Sequence, residues 1–167
     1  MRLIPAAVPS ALATVLIAST GAHADPCKRV DTTIDTTFFV DGCTSPVGIC
    51  TAGTVPSGPL KGTTRFSALT VREGPAPDVM LYTGELIITT KSGDVVIQDA
   101  GVLNGASGQF FELQKIVGGT KQFKRATGLL TSQGLATATG FSGSLTGMVC
   151  KEKPDKGGPV DREDDGA

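Results

Sequence analysis

Four cysteines limit what this chain can fold into more than any other feature of it. Cys27, Cys43, Cys50 and Cys150 show no C-x-x-C spacing that would point to a metal. An even count in an exported domain reads as two disulfides, for which three pairings are open. Export itself is read from the N-terminus. Arg2 gives a short positive start, Ala11 to Ala18 is apolar but for Thr14, and Ala22-His23-Ala24 is the small-x-small pattern that signal peptidase accepts. Residues 1–24 are therefore predicted to be a signal peptide, with the mature chain starting at Asp25 in a secreted or periplasmic location. A membrane-spanning helix is the competing reading, and the interrupting Pro5 and Pro9 and the short apolar run weigh against it. Elsewhere the chain has no segment apolar enough to span, so the mature form is not expected in a membrane.

Cys43 and Cys50 bracket Thr44 to Ile49, a loop short enough to staple. Cys27 then pairs with Cys150, which requires the first strand to lie beside the last. Loop-closure entropy puts the short and long bridges at about 2.5 and about 5 kcal/mol.

From Lys28 to Cys150 the pattern is one of strands between turns. Val30, Ile34 and Phe38 share one face, with Asp31, Thr33, Asp35 and Thr37 on the other. Residues 42–60 are rich in Gly and Pro and read as a long loop pinned by Cys43 and Cys50. Further strands are expected at about 62–73, 79–90, 94–103, 109–117, 126–133 and 139–150, separated by Gly-, Pro-, Asn- and Ser-rich turns. A short turn near Lys121–Arg125 is the one helical candidate. Short strands at this spacing predict an all-β, single antiparallel domain over 25–150, a meander closing into a barrel or a sandwich. The Cys27–Cys150 pairing favours the closed, eight-stranded barrel. Lys151 to Ala167 is charged and without apolar periodicity, and reads as a disordered tail. A calcium loop there lacks the downstream Glu it would need.

Composition removes several function classes. His23 is the only histidine and lies in the predicted signal peptide. The mature chain then has no imidazole for Ser-His-Asp or Cys-His catalysis or for a histidine-ligated metal, and no metal or cofactor is expected. Losing Arg2 leaves 14 of the 15 Lys and Arg against 16 Asp and Glu, a net charge of −2. With no basic stripe, nucleic acid is not expected as a partner.

The run Gly118-Gly119-Thr120-Lys121-Gln122-Phe123-Lys124-Arg125-Ala126-Thr127-Gly128 resembles the turn of the allene oxide cyclase and dirigent barrel superfamily. That turn runs Gly-Gly-Thr, two residues, an aromatic, then Ala-x-Gly. Tyr82-Thr83-Gly84-Glu85-Leu86, Asp99-Ala100-Gly101 and Phe141 to Gly147 are similar to residues of the same barrels, so that the likeness covers about 79–150. The resemblance implies an eight-stranded antiparallel barrel with an apolar pocket, often a homotrimer. It also implies a cyclase- or isomerase-like role, in which a reactive small molecule is steered through cyclisation or coupling. Read from the residues alone, the turn is structural: Gly118 and Gly119 permit positive φ, Thr120 can cap a short turn, and Phe123 can plug one barrel end. A phosphate-cradling loop is the alternative, and no Gly-Lys-Ser or Gly-Lys-Thr supports it.

Three carboxylates interrupt alternating apolar faces. Glu85 shares parity with Leu81 and Ile87, Asp99 with Val95 and Ile97, and Glu112 with Phe110 and Ile116, with Gln114 between the last two. Inside a barrel such a group has a raised pKa and serves as acid, base or polar anchor; at a rim or outside it is solvated. Glu85, Asp99 and Glu112 are thus the catalytic candidates, and Tyr82 and Gln114 the ligand-binding ones. Arg65 and Arg72 could hold an anionic ligand. Three functions stay open: steering an apolar small molecule without metal or cofactor, carrying such a molecule unchanged, or a structural role in a secreted interaction domain. An apolar lumen with converging polar groups distinguishes the first two from the third.

Overall fold

The computed structural model describes residues 27–151. The signal-peptide reading of residues 1–24 and the tail reading from residue 152 onward fall outside them. Eight strands form a closed barrel in chain order, every neighbour antiparallel: β1 (Cys27–Phe38), β2 (Cys50–Val55), β3 (Gly62–Glu73), β4 (Val79–Thr90), β5 (Gly93–Asn104), β6 (Gln109–Gly119), β7 (Thr127–Ala136) and β8 (Gly140–Cys150). Closure pairs β1 with β8 and places Cys27 directly opposite Cys150, where the disulfide fastens the seam. The second bridge joins Cys43 to Cys50. Both pairings are those the loop lengths and the closure argument predict.

The predicted long loop over 42–60 is corrected: it contains β2. Its interior positions, Thr51, Gly53 and Val55, include one apolar side chain, so the alternation that marks a strand is too weak to read among the surrounding Gly and Pro. Gly53 is needed there because a Cβ would lie 1.9 Å from the Asp35 carbonyl of β1.

One end of the barrel is closed. The 3-10 turn Lys121–Phe123 drives Phe123, 0 % exposed, into a base shared with Leu60, Val95 and Ala126. Lys151 covers the outside of that ring, its ammonium 4.1 Å from the ring centre, so the first residue of the predicted tail docks on the barrel. Gly118 and Gly119 have φ of 138° and 155°. Thr120, expected to cap the turn with its side chain, does not; its Oγ1 instead accepts from Asp94 N at 2.8 Å. That bond ties the plug to β5. Above the base a layer of Ile34, Leu86, Ile97, Leu130 and Leu145 fills the lumen, and the hydrophobic effect on these buried groups holds the ring of strands together.

The other end is lined with aromatic rings. Phe110 and Phe38 each pack edge-on against Phe141, with ring centres 5.2 and 5.5 Å away. The stapled loop between β1 and β2 lies beside this mouth, held to β3 by Ser45 Oγ donating to Ala68 O at 2.6 Å.

Candidate functional site

Between the apolar layer and the aromatic mouth, the lumen carries a set of polar side chains. Glycines on two strands make room for it. Tyr82 of β4, Gly101 of β5, Glu112 of β6 and Ser132 of β7 are register partners in sequence across the sheet. A Cβ on Gly101 would lie 2.3 Å from Tyr82 Cζ, so only glycine lets the phenol ring lie across β5 and reach β6. There its hydroxyl donates to Glu112 Oε1 at 2.7 Å. One row deeper, Gly84 leaves the corresponding gap for Phe66, whose ring would otherwise meet a Cβ at 2.2 Å.

Glu112 accepts two further hydrogen bonds at Oε2, from Ser132 Oγ at 2.5 Å and Gln114 Nε2 at 3.0 Å. The same Gln114 nitrogen donates to Asp99 Oδ2 at 3.0 Å. One amide therefore bridges two carboxyl groups. Asp99 is 4 % exposed and Gln114 1 %. Asp99 Oδ1 and Gln114 Oε1 are buried with no hydrogen-bond partner.

These groups line a cavity that offers about 30 Å³ to the centre of a water molecule, above the roughly 10–15 Å³ a single water needs. Phe66, Phe110 and Phe141 also line it. Phe66, Tyr82 and Phe141 separate it from a second, wholly apolar cavity of about 50 Å³ at the mouth, walled by Ile49, Ala68, Val71 and Met80.

Burial pushes the Asp99 carboxyl up to about 8, helped by the charge of Glu112 and opposed by the hydrogen bond from Gln114. Burial raises Glu112 as well, against the hydrogen bonds from Ser132, Tyr82 and Gln114. Tyr82 is raised by burial, then by Glu112 and Asp99, and stays a donor throughout. The pair keeps a proton at neutral pH. Asp99 receives one hydrogen bond where Glu112 receives three, which favours Asp99 as the proton's site.

No protein-family model matches the chain, and no curated protein matches it.

Of the sequence-derived candidates, Tyr82, Asp99, Glu112 and Gln114 converge. Glu85 does not. It is exposed on the outer wall, paired with Ser67 and Gln98, because lumen positions of β4 are the even-numbered ones. Arg65 and Arg72 are exposed as well; Arg65 donates to Gly42 O at 2.6 Å and stacks on Phe39, so neither holds anything in the lumen. Ser132 and the rings of Phe66, Phe110 and Phe141 are site residues that the sequence reading passes over. Among the described residues no group of three or more His, Cys, Asp or Glu could hold a metal, and no helix is long and apolar enough to cross a membrane.

Proposed function

We propose that the barrel takes a predominantly apolar small molecule through its aromatic mouth and presents it to the Asp99–Glu112 pair, steering its cyclisation or coupling without metal or cofactor. The observation that carries this reading is two buried carboxyl groups, both raised by burial, sharing a single amide in an apolar lumen. Such a pair gives and takes a proton near neutral pH. Cyclisation is an isomerisation, so a proton given by Asp99 and taken back closes its balance. In a coupling the barrel orients partners activated elsewhere. The two cavities hold only a few atoms, so the ligand's body is accommodated by moving the rings of Phe66, Tyr82 and Phe141 that divide them.

A second reading, a carrier that does no chemistry, draws on Glu112: a carboxylate held by three donors is a fixed anchor. Export, supported by the two disulfides, and a homotrimer, implied by the family resemblance, are proposed with either reading. Native mass spectrometry of the protein from its own source tests them together. A retained small molecule that is converted on incubation supports catalysis, and one released unchanged supports carriage. A chain recovered bare, whose tyrosine fluorescence responds to no fraction of its source's small molecules, refutes both.

A further inference from the structure

We infer that the molecule held in the lumen carries an organic ammonium group, seated between Asp99 Oδ1 and Gln114 Oε1 and ringed by Phe66, Tyr82, Phe110 and Phe141. The inference rests on the lumen-binding reading above and names the polar end of the ligand.

Of the three buried side-chain atoms without partners among the described residues, Thr64 Oγ1 lies outside this cavity's lining, and the other two, Asp99 Oδ1 and Gln114 Oε1, are both acceptors once Asp99 is ionised. The amide orientation follows from its nitrogen, which donates to both carboxyl groups and leaves the oxygen free. A buried acceptor without a donor is costly, and two on residues lining one cavity suit a group with at least two hydrogens on one atom, a water in the empty lumen and the ligand's own donor when it displaces that water. A ligand carbonyl has no such hydrogen and a hydroxyl has one. A carboxylate would face the charge of Glu112. An ammonium supplies both hydrogens and the opposite charge. No Lys, Arg or His lines the cavity, so no resident cation competes. The aromatic faces at the same place favour a cation further. A hard metal ion would need six or more oxygens, which two carboxyl groups in an apolar setting do not provide.

Asp99 gives up its proton when the ammonium arrives: the neutral acid and the ammonium become an ion pair, and one proton goes to solvent. The other ionisable groups lining the cavity are Glu112 on β6 and Tyr82 on β4, with none from β1, β2, β3, β7 or β8. Release of one proton per ligand makes affinity rise about tenfold per pH unit below the Asp99 value.

Tyr82 is the only tyrosine and the chain has no tryptophan, so intrinsic fluorescence reports on the lumen alone. The full chain with its disulfides intact is titrated at pH 6, 7 and 8 with hexylamine, 1-hexanol, hexyl methyl ether and hexanoate. Hexylamine is expected to bind about tenfold or more tighter than 1-hexanol at pH 8, with hexanoate weakest. Its Kd falls about tenfold per pH unit from 6 towards 8, while that of 1-hexanol stays level. Asp99→Asn weakens hexylamine selectively; if that variant does not fold, the wild-type series decides. Tighter or equal binding of the alcohol, ether or acid overturns the ammonium inference and leaves lumen binding standing. A hexylamine Kd that ignores pH overturns it too, because Asp99 would not be the partner. Silence to all four probes removes the inference together with the lumen-binding reading.

Discussion

Replacing Asp99 by Asn removes a titrating group without changing its shape, and the pH dependence of stability should change with it. The Asp99 carboxyl titrates at about 8 in the fold, against 3.8 for the free side chain. Between those values the folded chain holds a proton that the unfolded chain releases. Stability is therefore highest at the acid end of the window and falls as pH rises towards 8. From pH 5 to pH 7 the full difference applies, roughly 3 kcal/mol in all. Urea unfolding at pH 5, 6 and 7, with disulfides intact and far-UV circular dichroism as the signal, reads this directly. The wild type should lose roughly 3 kcal/mol more than Asp99→Asn over that range, at unchanged denaturant slope. Glu85→Gln, on the outer wall, serves as the control and should keep the wild-type profile. If Asp99→Asn also keeps it, Asp99 is ionised in the fold, and the proton-sharing account of the lumen is wrong.

Gly101→Ala should push the Tyr82 ring off Glu112, cost about 1–3 kcal/mol and change tyrosine emission; emission identical to wild type would mean that the ring does not need the gap. Phe123→Ala should cost about 3–5 kcal/mol in the same unfolding assay, since it empties the plug of the closed end. Replacing Cys27 and Cys150 with serine should cost up to about 5 kcal/mol, against about 2.5 for Cys43 and Cys50, and a reversed order would contradict the seam's role in closure.

Strand positions from Gly62 onward were legible because Thr, Val, Ile and Phe alternate between clear turn residues there. Which face of each strand lines the lumen was not. In β4 both faces are apolar, with Leu81 and Ile87 outward and Leu86 and Ile88 inward, so parity could not separate Glu85 from a lumen position. Asp99 and Glu112 had the same pattern of neighbours and point inward. Only pairing across the sheet decides the matter. Ser132 gave no signal of its own, since a serine between Thr131 and Gln133 reads as solvated until its register partner is known to be Glu112. The glycines were visible as part of a resemblance, while the reason for them is a clearance between Gly101 and the Tyr82 ring that no single-strand pattern contains.

The seam between β1 and β8 makes the order of the strands a circle rather than a line. Cys27 and Cys150 have Cα atoms 3.9 Å apart, about the step between consecutive residues of a chain. The chain could be rejoined there by a very short linker and opened instead at the exposed Lys91 hairpin, giving a circular permutant with the same strands in the same order around the barrel. Both natural ends of the barrel also leave from the plugged base. A short tether joined directly to Cys27 or Lys151 would start on the far side from the mouth, and a barrel fixed to a surface by it would present its opening outward.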